Sequence, residues 1–286
     1  LYTRGHILKK SWEMAEAFVK RIMTVRHMES YDVVYLCREA SLIGPAIAER
    51  LIGWTGVPIV YDFDDAIFHR YVSPFNSYLT FLKFPGKTAT LCRMASHITV
   101  GNEYLYNYAI RYNKNVTIVP TTIDTAKYRP VEKNNTQGPV VVGWTGSQSS
   151  TQYLPMLFPA LKALSQRYRM KFLAIGAQKT AIPGVETEYR AWSPETEVKD
   201  ISDIDIGLMP LPDKKWARGK CGLKILQYMG LGIPPVASPV GVNSEIIRDG
   251  VNGCLASTEN EWVEKISRLI EDEELRKRIK EEISES

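Results

Sequence analysis

The segment Arg218-Gly219-Lys220-Cys221-Gly222-Leu223-Lys224-Ile225-Leu226-Gln227-Tyr228-Met229 gathers groups suited to holding an anion. It reads as a glycine-containing loop running into a helix. That reading places Lys220, Lys224 and Gln227 at i, i+4 and i+7 on one helix face and turns Leu226 and Met229 inward. Two like charges four residues apart repel, and a helix start already disfavours cations. A bound diphosphate removes both penalties. It would take the free amides at the helix start, the loop at Cys221 and Gly222, and both ammonium groups. Two solvated lysines on an exposed face are the simpler alternative.

A second candidate is Gly143-Trp144-Thr145-Gly146-Ser147-Gln148-Ser149-Ser150-Thr151, placed between an apolar strand and a helix. Here Gly143 and Gly146 would let the backbone approach a ligand, and the hydroxyls of Thr145 and Ser147 would bind phosphate or cap the helix. A turn of no further use has the same composition. The third candidate, Tyr61-Asp62-Phe63-Asp64-Asp65-Ala66-Ile67-Phe68-His69, brings three carboxylates to the end of a strand. Those acids could orient a substrate hydroxyl, or simply cap a helix.

These loops need a frame. Apolar runs at 33–37, 58–61, 97–100 and 116–119 read as buried parallel strands, with crossover helices at 41–52 and 102–112 among them. A polar stretch, 129–139, carrying Pro130, Gly138 and Pro139, then breaks the periodicity. Strands resume at 140–143, 171–175, 204–209 and 235–237, with a helix marked by Leu154, Leu157, Phe158, Leu161 and Leu164. Thr258-x-x-Glu261 has the form of a capping box opening a further helix. The fold class expected is therefore α/β, with two Rossmann-like, doubly wound parallel-sheet domains. They are residues 1–128, with first elements lacking, and 139–272, joined by the linker 129–138 and followed by a C-terminal helix at 273–286.

Composition narrows the function classes. The 286 residues are 44% hydrophobic, enough for two cores, and the 36 Lys and Arg against 32 Asp and Glu argue against a nucleic-acid partner. Four cysteines, Cys37, Cys92, Cys221 and Cys254, stand singly, as in a reducing cytoplasm. The chain opens at Leu1 directly on a basic amphipathic pattern over 6–28. This helix either packs on a sheet or offers a peripheral contact with the inner face of the plasma membrane.

Several of these residues together carry a resemblance. Gly222-Leu223-Lys224-Ile225-Leu226-Gln227-Tyr228-Met229, Gly232-Ile233-Pro234-Pro235-Val236-Ala237-Ser238, Gly241, Glu245-Ile246-Ile247 and Asp249-Gly250-Val251-Asn252-Gly253 resemble the donor-domain signature of family 4 glycosyltransferases. Val119-Pro120-Thr121-Thr122-Ile123-Asp124-Thr125 and Asp205-Ile206-Gly207-Leu208-Met209-Pro210 are similar to two further segments of that family. The resemblance implies the GT-B architecture and a retaining transfer of sugar from a UDP- or GDP-linked donor to a glycan or lipid-linked acceptor. It also implies reaction in a cleft between the domains, with no bound metal and no cofactor beyond the donor substrate.

Departures from the family pattern matter equally. Gly219 and Gln227 stand where the family usually has two glutamates, the first toward the donor sugar and the second toward the ribose. Gln227 keeps a hydrogen-bonding amide, whereas Gly219 has nothing to offer. The family's Arg and Lys are missing from the turn 143–151, a charge that Lys220 and Lys224 could supply. Asp64 stands close to the position where the family often has a histidine near the reacting sugar, so Asp64 and Asp65 are the catalytic candidates. The pair Asp62-x-Asp64 also invites comparison with the metal-binding motif of the other large glycosyltransferase fold. Trp192 is placed to flank a base pocket, or merely to pack. The aromatic stretch Phe75, Tyr78, Phe81, Leu82 and Phe84, with Lys83 and Lys87, could meet a lipid-linked acceptor. Because the glutamates are missing, a non-catalytic nucleotide-sugar-binding paralogue is the alternative. A nicotinamide-dependent oxidoreductase is disfavoured by the lack of Gly-x-Gly-x-x-Gly after either first strand.

Overall fold

A computed structural model describes residues 12, 16–17, 19–20, 22–40, 44–69, 84–130, 138–177, 179 and 181–285. Most of the aromatic stretch at 75–84, all of 131–137 in the polar linker, the start of the 41–52 helix and much of the N-terminal basic helix lie outside them. The chain divides into two compact units, residues 1–120 with 218–221, and 121–217 with 222–286.

Unit 1 holds a parallel sheet of β1 (Val34–Cys37), β2 (Ile59–Phe63), β3 (His97–Val100) and β4 (Val116–Ile118), in the order β1-β2-β3-β4. Helices α1 (Ile47–Trp54), α2 (Gly86–Met94) and α3 (Glu103–Ala109) connect them. Strands laid down consecutively, with right-handed crossovers, send these helices to one face of the sheet. The burial pattern agrees: Ile59, Tyr61 and Phe63 of β2 are buried, while Val60 and Asp62 between them are only partly covered. Asn102 caps α3 by accepting from the Leu105 amide at 3.0 Å. Between α1 and α2 lies a buried ion pair, Lys87 to Glu49 at 2.7 Å, and Glu49 also accepts the Ala40 amide at 3.1 Å. A pair so deprived of water holds only if its geometry is kept, so it pins the segment following β1.

Unit 2 winds in two directions. Its strands β5 (Val140–Thr145), β6 (Met170–Ile175), β7 (Thr187–Arg190), β8 (Ile206–Met209), β9 (Pro235–Ala237) and β10 (Cys254–Leu255) lie in the order β10-β9-β8-β5-β6-β7, all parallel. The chain starts at β5, runs outward to β7, then returns to β8 on the other side of β5. The reversal leaves a crevice beyond the carboxyl ends of β5 and β8, where such folds take ligands. The helices are α4 (Gln148–Thr151), α5 (Phe158–Ser165), α6 (Glu197–Ser202), α7 (Leu223–Gly230), α8 (Asn243–Ile246), α9 (Glu259–Glu271) and α10 (Glu273–Ser284). Leu157, Leu161 and Leu164 are fully buried, as their spacing predicts, although residues 154–157 form a 3-10 turn before α5. The capping box at α9 is complete, with Glu261 N donating to Thr258 Oγ1 and Thr258 N to Glu261 Oε2. Tyr128 packs with Tyr228, Leu231 and Ile233, so the residues just after Pro120 belong to this core.

Candidate functional site

At the carboxyl edge of the unit 1 sheet, β2 ends at Phe63 and delivers Asp64 and Asp65 side by side. Both meet Arg38, the residue after β1. Its Nε and Nη2 donate to Asp64 Oδ1 at 2.9 and 2.8 Å, and Nη2 pairs with Asp65 Oδ2 at 2.9 Å. Among the described residues Arg38 alone has a positive φ without being glycine, at 60°. Lys220 reaches the same cluster, Nζ to Asp65 Oδ1 at 2.8 Å. Cys221 stands beside it, its thiol donating to the Asp64 carbonyl at 3.2 Å, and Asn102 Nδ2 donates to the Lys220 carbonyl at 3.3 Å. Asp62 lies apart from this cluster: its Oδ1 accepts from Thr99 Oγ1 at 2.6 Å on the sheet face, so the Asp62-x-Asp64 pair is split.

Two expectations about the 218–229 segment are corrected here. The helix begins at Leu223, after Gly222, whose φ of 75° is a left-handed conformation that ends any helical phase upstream. Lys220 therefore is not on the helix and shares no face with Lys224 and Gln227. The buried residues of α7 are Ile225, Gln227 and Tyr228; Met229 packs against the core of Met209, Leu211 and Ile247 as its spacing predicts, whereas Leu226 is only partly covered. Gly219 has a steric reason. A Cβ there would stand 2.6 Å from Ala66 Cβ and 2.8 Å from its backbone nitrogen, so a glutamate could not occupy the position without displacing the chain.

In unit 2 the loops after β5, β6 and β7 converge. A Cβ at Gly176, φ 76°, would fall 2.2 Å from the Gly146 carbonyl oxygen and 3.2 Å from Trp192 Cβ. A Cβ at Gly146 would be 2.6 Å from Lys224 Nζ. Lys224 reaches back from the first turn of α7, lying 4.3 Å over the Trp144 ring and 3.3 Å from Ser150 Oγ. The ammonium itself is held over the aromatic face, beside the turn. Gly222 packs on the other side, where a Cβ would stand 2.4 Å from Ile246 Cδ1. Strand β5 runs farther than its sequence suggests, through Thr145, so Gly143 and Thr145 are not turn residues. Gly143 is a packing position whose Cβ would lie 2.3 Å from Ile204 Cγ1, and the Thr145 amide donates to Tyr228 Oη at 3.0 Å. Gly146 and Ser147 do form the turn, the Ser147 carbonyl accepting from the Ser150 amide at 2.9 Å.

Trp192 follows β7, half-exposed, its ring nitrogen donating to Glu197 Oε1 at 2.9 Å. Sequence reasoning passed over Glu197. It also accepts from Tyr128 Oη at 2.6 Å, Lys127 Nζ at 3.2 Å and Gln227 Nε2 at 3.2 Å. Burial pushes the Glu197 carboxyl up, but the hydrogen bonds from Tyr128, Trp192, Lys127 and Gln227 outweigh it and leave the pKa below the usual value. Gln227 is buried and gives its amide to Tyr128 Oη at 2.8 Å as well.

Residues 139–272 match the family described as Glycosyl transferases group 1. No curated protein matches the chain. Among solved structures, Anabaena HepE in complex with UDP and glucose aligns with a TM-score of 0.71 at 16% identity, covering 93% of this chain and 75% of that one. A glycosyltransferase from Rickettsia africae gives 0.64 at 11%, covering 100% and 78%. Sucrose-phosphate synthase from Thermosynechococcus elongatus gives 0.60 at 14%, covering 90% and 69%. The fold is thus the GT-B glycosyltransferase fold of two parallel-sheet α/β domains, and residues 139–272 are similar to group 1 glycosyl transferases. Among the described residues no helix is long and apolar enough to cross a membrane.

Proposed function

We propose that the chain is a retaining glycosyltransferase of family 4, moving a sugar from a UDP- or GDP-linked donor to a glycan or lipid-linked acceptor at the cytoplasmic side of a membrane. The observation that carries this reading is the convergence of Gly146, Lys224 and the start of α7 at the crevice of unit 2. A glycine turn, a lysine and a helix start meet there, a combination that suits a diphosphate. Trp192 then flanks the base, and Lys224 with the α7 amides stabilises the departing diphosphate as its charge develops. Asp64, at the edge of unit 1, receives the acceptor hydroxyl. The match of residues 139–272 and the complex of HepE with UDP-glucose support a nucleotide-sugar donor.

A nucleoside diphosphate bound only by the folded chain must raise its melting temperature by mass action. UDP and GDP are each titrated at saturating concentration, with and without a chelator. A shift with either, unchanged by the chelator, is expected. No shift with both removes the donor site. The departures at Gly219 and Gln227, whose amide is engaged within unit 2, favour one second reading, a nucleotide-sugar-binding protein without transfer. Binding of donor with neither transfer nor hydrolysis would establish it.

A further inference from the structure

We propose that Arg38 is a positioning residue that gives the adjacent aspartates different tasks, holding Asp65 as a fixed counter-ion and presenting Asp64 to the acceptor. This rests on the reading of the unit 1 edge as the acceptor side. The Asp65 side chain is 13% exposed and each of its oxygens faces a cation, Oδ1 to Lys220 and Oδ2 to Arg38. A carboxylate so engaged has little left for a substrate. Asp64 is different. Its side chain is 52% exposed, and both Arg38 contacts fall on the single oxygen Oδ1, so the guanidinium does not engage Oδ2.

Backbone conformation makes the same point independently. A φ of 60° is strained for an arginine, whereas glycine takes it freely. The conformation persists because the surroundings over-determine it. Arg38 N donates to the Asp62 carbonyl at 2.7 Å, prolonging the β1–β2 ladder, and the Ala40 amide two residues on is tied to Glu49 of the buried ion pair. Strain kept at a charged cluster on the carboxyl edge of a parallel sheet marks a place where a side chain direction matters more than local stability. The left-handed turn aims the guanidinium across β2 at both acids, and its planar fork reaches two carboxylates at once, which an ammonium would not do.

The test uses Arg38→Gly, Arg38→Lys, Asp64→Asn and the double variant Arg38→Gly/Asp64→Asn. Glycine accepts the observed φ, so Arg38→Gly should fold and bind nucleoside diphosphate as the wild type does. Its kcat for transfer should fall about tenfold to a hundredfold, the scale of a displaced reacting group, with KM for the donor unchanged. Arg38→Lys should recover part of that loss, and added methylguanidinium should recover part of it in Arg38→Gly. The double variant should be no slower than the slower single, because both act through one carboxylate. Multiplicative losses, or an Arg38→Gly enzyme of full kcat, overturn the proposal. If the wild type binds donor and transfers nothing, the function reading fails separately. The Arg38 proposal is then judged on the melting temperatures of the four proteins, where coupling between Arg38 and Asp64 supports it and strict additivity overturns it.

Discussion

The carboxyl edges of the two sheets are built from opposite materials. In unit 1 the edge is ionic and already paired, Arg38 and Lys220 facing Asp64 and Asp65. In unit 2 it is built from glycines packed against one another's backbones, with Lys224 laid over Trp144. A paired cluster sets direction and leaves net charge near zero, which suits a neutral hydroxyl. A glycine turn beside a lysine and a helix start carries net positive potential, which suits an anion. The difference teaches that one parallel-sheet plan yields a site for orientation or a site for charge, according to what the loops after its strands carry.

The most damaging test of the glycine-built edge is Gly176→Val. The new side chain would collide with the Gly146 carbonyl at a left-handed φ, costing about 3 kcal/mol or more. Thermal denaturation should show the loss, and nucleotide should no longer shift what remains. Next in size, Lys224→Ala removes a charge-assisted contact of roughly 1.5 to 3 kcal/mol, so nucleoside diphosphate affinity should drop about tenfold to a hundredfold and its salt dependence should weaken. Equal affinities in calorimetric titration would move the phosphate site elsewhere.

A smaller effect is expected from Glu197→Gln, which removes the charge that Tyr128, Trp192, Lys127 and Gln227 share. The cost at neutral pH should be about 1 to 3 kcal/mol. The folded-state pKa of Glu197 is depressed, so its stabilisation is present above the ordinary carboxylate value of about 4.3 and is lost as pH falls through the lower folded value. The melting-temperature gap between wild type and variant should therefore close below about pH 4, and a gap that widens there would contradict the assigned contacts. Smallest of all is the expected effect of Asp64→Asn on nucleotide binding, a change of less than about twofold, because the residue belongs to the other edge. A large loss of affinity would erase the division between the two edges.

Much of this was legible before the coordinates. Buried parallel strands advertise themselves as apolar runs, and β5, β6, β8 and β9 appear within a residue or two of expectation. The spaced glycines after the apolar run also predict the turn at Gly146 and Ser147. What stayed hidden depends on reach rather than pattern. Arg38 sits in a polar junction, and neither its φ nor its grip on acids 26 residues away leaves a periodic trace. Glu197 opens a short polar helix, so no apolar stripe draws attention to it. Lys220 and Lys224 look like helical neighbours because spacing alone cannot tell that Gly222 adopts a left-handed φ. A glycine immediately after the β6 run was a usable signal for Gly176.

Residues 218–221 belong to the compact unit of 1–120, and this has a consequence in time as well as in space. Asp65 and Lys220 are separated by 155 residues of chain, nearly all of which must be translated before the pair can close. At roughly 5 to 20 residues per second, the ribosome needs on the order of 10 to 30 s to deliver the second cation. For that interval the nascent first unit has Arg38 as the partner of its acids and lacks the strand-edge strap that carries Lys220 and Cys221. The first unit therefore cannot be completed until residues 121–217 of the second have been synthesised.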